Sequence, residues 1–222
     1  MMNVFRFAGD MFHVLSILVL LLRLRVKENA IGISIRTQEL YLIVFITRYL
    51  DLFTMYYSFY NSMMKILYIS ATSYIIYMVR HTEPFKTNYD KQQDSWRHME
   101  FAVAPCAVLG IITSIYQGFD FVEMFWYFSI YLEAVAICPQ LILLQRYREV
   151  ENLTGHYVFL LGAYRGLYIV NWVYRSYHEV YYKHNWVVYG CGILQTALYV
   201  DFFYYYFLSK YRGSKFTLPT AN

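Results

Sequence analysis

Charge is scarce in this chain of 222 residues. Aspartate, glutamate, lysine and arginine supply 15% of it, against about a quarter in a soluble domain. Hydrophobic residues supply 59% and aromatic residues 21%. An ordinary soluble globular domain is therefore excluded. Cysteine is rare too. Cys106, Cys138 and Cys191 are odd in number, widely spaced and each set in apolar sequence, which excludes a disulfide framework and a zinc site and leaves small packing residues. Catalytic signatures are missing: there is no nucleophile motif, no HExxH and no phosphate-cradling glycine loop. The expectation is a protein that is not an enzyme and holds no cofactor or metal. The net charge of +4 is spread between apolar blocks and calls for no nucleic-acid partner.

What is present is a series of long apolar segments. Seven emerge, at 5–22, 40–57, 63–79, 101–116, 121–144, 157–174 and 186–208. Most approach the ~20 residues that a spanning helix needs, and none alternates as a barrel strand would. They predict an all-α integral membrane protein. Residues 1–222 form one seven-helix domain surrounded by membrane lipid, with a short tail at 209–222. The fourth segment is the shortest and contains Pro105; Pro139, followed by Gln140, predicts a kink in the fifth. A short fourth span fits two three-helix bundles joined by a linker helix, related by an axis along the membrane normal.

Lysine and arginine gather after segments one, three, five and seven, as in Arg23, Arg25, Arg80, Lys86, Lys91, Arg146, Arg148, Lys210, Arg212 and Lys215. The positive-inside rule then places the N-terminus in a lumen or outside and the C-terminus in the cytosol. Arg6, Asp10 and His13 interrupt the first apolar block, and Arg23, Arg25 and Lys27 follow it where a signal peptide needs a small-residue cleavage site. A retained first span is expected. The sequon Asn152-Leu153-Thr154 falls on the cytosolic side and should carry no glycan.

Ionisable residues inside spans are functional candidates. Span one carries Arg6, Asp10 and His13 on one helical face, span two Arg48 and Asp51, span five Glu123 and Glu133, span six Arg165 and Arg175, and span seven Asp201. Each has a bland reading: Arg48 and Asp51 can pair with each other, and Glu123, Arg175 and Asp201 can be wet at a membrane face. Four intramembrane arginines are harder to dismiss. Guanidinium binds carboxylate bidentately, so a cavity holding several suits a ligand with several carboxylates. Glu123, Asp51 and Trp172 can receive a cation at the ligand's other end. In span six, Tyr164, Tyr168, Trp172 and Arg175 share a face, with Arg165 beside Tyr168. His13 titrates near pH 6.5 when unperturbed, between neutral and mildly acidic compartments; Glu133 and Tyr164 stand at comparable depth.

Several stretches resemble the KDEL receptor family: Asn3-Val4-Phe5-Arg6-Phe7, Arg48-Tyr49-Leu50-Asp51-Leu52-Phe53, Phe128-Ser129-Ile130-Tyr131-Leu132-Glu133, Tyr164-Arg165, Asn171-Trp172 and Asp201-Phe202-Phe203. The resemblance covers nearly the whole chain. It implies a fold similar to SWEET and PQ-loop transporters, with a luminal cavity. It implies capture of the C-terminal KDEL or HDEL tetrapeptide of escaped luminal proteins in the acidic Golgi. Retrograde COPI carriers and release at neutral pH in the endoplasmic reticulum would follow. By this likeness Arg48 holds the terminal carboxylate with Tyr49 nearby, and Arg165 assists. Arg6 faces the ligand glutamate and Arg175 the aspartate. Asp51, Glu123 and Trp172 receive the residue four from the end. His13 senses protons, coupled to Glu133 and Tyr164. Asp201 serves the transport rearrangement, and Lys210, Arg212 and Lys215 form the coatomer-binding tail.

Two rivals remain. A small-solute transporter could share the architecture, although a sugar pore favours Asn, Trp and Ser over four arginines. An intramembrane enzyme lacks its nucleophile or metal set.

Overall fold

The computed structural model describes residues 3–219, apart from the side chain of Phe53. The last three residues of the expected tail lie outside that range. Helix α1 runs Val4–Lys27, α2 Ile35–Arg48, α3 Phe59–His81, the single turn α4 Phe85–Asn88, α5 Ala104–Tyr116 and α6 Phe121–Val135. Then come α7 Cys138–Tyr147, α8 Asn152–His178, α9 Trp186–Leu198 and α10 Val200–Arg212. Among the described residues the only β pairing is one bridge between Glu149 and Thr217.

Among the described residues five helical stretches are long and apolar enough to cross a membrane: Val4–Lys27, Phe59–His81, Met99–Tyr116, Phe121–Tyr147 and Trp186–Arg212, of which the fourth joins α6 to α7 and the fifth α9 to α10. This makes the chain a multi-pass, all-helical membrane protein. Of the seven expected segments, the second and sixth fall short of that test. α2 has 14 residues, well under the ~20 of a crossing, and α8 is diluted by its arginines and other polar residues.

Helix ends follow local chemistry more than apolar runs. α2 begins at Ser34, whose hydroxyl accepts from the Thr37 N–H. Asp94 reinforces the start by accepting from Ser34 Oγ at 2.8 Å, Ile35 N at 2.9 Å and Arg36 N at 3.3 Å. The helix so begins ahead of the expected apolar run at 40. It ends at Arg48, and a 3₁₀ turn, Leu50–Phe53, replaces the remainder of that run. Pro105 lies in the first turn of α5, preceded by a widened π turn over Met99–Val103 that makes room for a ring with no N–H to donate. The kink expected at Pro139 is a two-residue turn, Ala136-Ile137, between α6 and α7 within one crossing stretch, and Pro139 lies in the first turn of α7. Gln140 uses the gap: its Oε1 accepts from Ser34 N at 2.9 Å and its Nε2 donates to Gly32 O at 2.8 Å.

The chain forms two compact units. One comprises Met1–Lys27 and Leu144–Asn222, the other Glu28–Leu143. This grouping differs from the halves expected in chain order, because α1 packs along α8. A Cβ on Gly9 would lie 2.9 Å from the Tyr168 ring, so only glycine permits that approach. Asn3 Nδ2 donates to Asn171 Oδ1 at 2.6 Å, and at the other end Arg23 reaches Glu151 at 3.9 Å. In the second unit α2 packs on α3 and α6, and α5 packs on α6. Leu40, Val44, Phe45, Ile75 and Leu132 are buried there, while Ile111, Ile112 and Ile115 face outward as on a lipid-facing surface.

Candidate functional site

In the second unit, the end of α2, the turn after it, and the starts of α3 and α6 enclose a cavity of about 430 Å³. Arg48, Tyr49, Asp51 and Glu123, all expected at the site, line it together with Lys65 and Trp126. Arg48 closes α2 and is held by α6. Its Nη1 pairs with Glu133, its Nε donates to Ser129 Oγ at 3.1 Å and its Nη2 to Ser129 O at 2.9 Å. Glu133 is 2% exposed. The bland pairing of Arg48 with Asp51 does not occur. Asp51 instead takes Lys65 Nζ at 2.7 Å, and its second oxygen is buried without a hydrogen bond among the described residues. The Lys65 ammonium also lies 5.5 Å from the Tyr49 ring and 5.6 Å from that of Tyr57. Glu123 is exposed at the first turn of α6, whose N-cap is Asp120. Two cations and two carboxylates thus share one cavity, able to take an anionic and a cationic group. Lys65 is not among the expected site residues, because at the edge of an apolar run it reads as a loop flank.

In the first unit, His13 of α1 lies flat on Tyr164 of α8, with ring centroids 4.3 Å apart and planes 3° from parallel. His13, Tyr164 and Arg165 are all buried. Three residues before His13, Asp10 accepts from the Tyr168 hydroxyl. Arg165 donates to Gln195 of α9 and lies 5.4 Å from the Tyr164 ring. Gln195 is fully buried and its Nε2 has no partner among the described residues; as a lone neutral amide it gave no signal in the sequence. Trp172 fills the space beside Gly192 and lies 5.5 Å from Tyr189. Arg175, in the last turn of α8, donates to Glu179 at 2.9 and 2.7 Å and covers the Tyr182 ring at 4.8 Å. These bonds hold the Glu179 carboxyl below its ordinary value. The Arg6 and Asp201 side chains make no polar contact among the described residues, and Asp201 is exposed in the first turn of α10.

The tail is folded back on the loop before α8. Val150 N donates to Phe216 O and Leu218 N to Arg148 O, each at 2.9 Å, and Phe216 and Leu218 are buried. Lys210 Nζ donates to Asn152 Oδ1 at 2.6 Å, Lys215 pairs with Glu149 at 3.1 Å, and Arg212 is exposed. Among the described residues no group of three His, Cys, Asp or Glu side chains is placed to hold a metal ion.

Comparison with known proteins gives these residues a family. The family model described as "ER lumen protein retaining receptor" matches residues 29–175. The chain belongs to the ER lumen protein-retaining receptor family. Proteins of that name are similar along almost its whole length. The receptor of Petunia hybrida is 51% identical over 98% of this chain and 100% of its own. Receptor A of Arabidopsis thaliana is 53% identical over the same shares. The receptor of Plasmodium falciparum is 45% identical over 98% of each chain. Those names describe a retention receptor, not an enzyme, and the KDEL-receptor resemblance read from the motifs is to this same family. In this receptor-family member, Tyr164-Arg165 and Asn171-Trp172 sit on α8, and Arg48 to Phe53 form the α2 end and the turn after it.

Proposed function

We propose that this receptor-family member binds the C-terminal KDEL- or HDEL-type tetrapeptide of escaped luminal proteins. Binding occurs at acidic Golgi pH, retrograde COPI carriers return the complex, and release follows at the neutral pH of the endoplasmic reticulum. The observation that carries the reading is the cavity where Arg48 and Lys65 stand beside Asp51 and Glu123. A tetrapeptide of this kind has a terminal carboxylate, two acidic side chains and a basic residue. Arg48, steadied by Glu133 and Ser129, takes the terminal carboxylate beside Tyr49 and with the help of Arg165. Arg6 takes the glutamate and Arg175 the aspartate. Asp51, Glu123 and Trp172 take the residue four from the end. His13, stacked on Tyr164 and coupled to Glu133, is the proton switch, because an imidazole changes charge between the two compartments. Asp201 serves the rearrangement.

The architecture we propose is seven crossings arranged as in SWEET-type proteins, α2 and α8 adding to the five apolar rods. The N-terminus is luminal and the C-terminus cytosolic, following the lysine and arginine distribution. Coatomer reads Lys210, Arg212 and Lys215 after the tail leaves the loop that now holds Lys210 and Lys215. A ligand drives that change only through its differential affinity for the two states. The rival reading, a small-solute transporter, is disfavoured by a cavity of opposed charges and predicts solute flux in liposomes without peptide.

The test compares a peptide ending in a free Lys-Asp-Glu-Leu carboxylate with its C-terminal amide at about pH 5.5. Loss of charge-assisted bonds worth about 1.5–3 kcal/mol should weaken the amide by about tenfold or more. Equal binding of the two peptides, or none of either, would refute the reading.

A further inference from the structure

The start of α2, far along that helix from Arg48, carries a second cavity, of about 400 Å³, beside the last turn of α3. Its lining is unusual in charge. Arg36, Arg80, Lys86 and Lys91 supply four cations, and among the described residues that line it Glu39 is the one carboxylate. Glu39 is already shared. Arg80 pairs with it, Arg36 Nη1 reaches it at 3.4 Å and His98 Nε2 at 3.2 Å. Neighbouring Asp94 is spent on the α2 cap and on the Tyr89 hydroxyl, which donates to it at 2.6 Å. The exposed Lys86 and Lys91 ammonium groups have no partner among the described residues, and Arg36 Nε is buried there without an acceptor. The cap has also consumed the α2 N–H groups of Ile35 and Arg36, so the anion-attracting feature is the side-chain cluster and not the helix end. The field is felt nearby: His98 is held below its ordinary pKa by burial and by Arg36 and Arg80.

Such a surplus of cations around one cavity attracts counter-charge. Two guanidiniums and two ammoniums suit an oxyanion with several charged oxygens. α3 is apolar enough to span a membrane and ends at His81, so the cavity opens where that span meets an aqueous face. The lysine and arginine distribution makes that face cytosolic, where anionic lipid headgroups concentrate. The volume falls within the range of small-ligand sites. We infer that this basic cavity binds a phosphorylated inositol headgroup of the cytosolic leaflet. The inference does not depend on the tetrapeptide reading, which concerns the other end of α2.

The experiment uses the full chain, purified and placed in nanodiscs of phosphatidylcholine with a labelled phosphatidylinositol 4-phosphate. Phosphatidylserine at equal net charge is the first comparison, and soluble inositol trisphosphate the competitor. The double variant Lys86→Gln with Lys91→Gln tests the cavity, and Lys215→Gln tests general surface charge. Preference for the phosphoinositide over phosphatidylserine, a loss of tenfold or more in the double variant and none in Lys215→Gln are expected. Neither lysine is paired among the described residues, so the double variant should melt as the parent does without lipid, which separates binding from folding. Competition by the soluble headgroup would support recognition of its phosphates. Equal binding in soluble form and in a bilayer would keep the site and make a free inositol phosphate its ligand. Equal affinity for phosphatidylserine, or a double variant that binds as the parent does, would overturn the inference.

Discussion

Arg48 and Glu133 are bound to each other, and the pair is mostly out of water. Arg48→Ala would leave Glu133 as a buried carboxylate without its cation, a change that typically costs about 3–5 kcal/mol. Melting of the unliganded receptor should show that loss, and a smaller one for Glu133→Gln, which keeps an amide able to meet Arg48. Both charges were legible in the sequence, because an ionisable residue stands out in an apolar run. Their pairing was not, because 85 positions separate them. Asp51 with Lys65 gives the same lesson over 14 positions, since the lysine reads as a flank. His98 offers a test of sign. Burial and then Arg36 lower its folded pKa, with Arg80 adding to the effect. The unfolded chain therefore takes up this proton first, from about pH 6.5 downward. The stability involved is fully present above that pH and is lost as pH falls from there through the lower folded value. Melting followed from about pH 7.5 to about pH 5.5 should decline less steeply in His98→Gln than in the parent; parallel curves would remove His98 from the account.

Helices α8 and α9 meet where Gly192 faces Trp172. A Cβ at Gly192 would lie 2.6 Å from the indole, so Gly192→Ala must displace the ring. Overpacking of this kind costs about 1–3 kcal/mol. The variant should melt lower, show altered tryptophan fluorescence and lose tetrapeptide affinity through Trp172; unchanged melting and fluorescence would mean that the contact is not close. Periodicity and apolar length made most helices legible, and Pro139 announced the break between α6 and α7. The start of α2 was hidden, because its cap is completed by Asp94, 59 residues downstream of Ile35. The widened turn before α5 was hidden too, since it depends on how the chain accommodates the Pro105 ring.

The chain as a whole is a multi-pass membrane protein of a receptor family, and composition alone made the first half of that statement legible. The motifs around Arg6, Arg48, Glu133, Arg165 and Trp172 made the second half legible through their resemblance to that family. The grouping of α1 with α8 to α10 was not legible, since it turns on close approach at Gly9 and on hydrogen bonds across more than a hundred residues. Nor was the folded-back tail, which rests on backbone bonds from Phe216 and Leu218 to the loop before α8. The central claim is a peptide receptor switched by protonation at His13. Its most direct test is affinity for a peptide ending in Lys-Asp-Glu-Leu at about pH 5.5 and about pH 7.4, bracketing an imidazole titration, in the parent and in His13→Ala. The account predicts tight binding by the parent at the acidic pH and weak binding at the neutral one, with the contrast abolished in the variant. An unchanged pH contrast in His13→Ala, or equal affinity of the parent at both pH values, would contradict it.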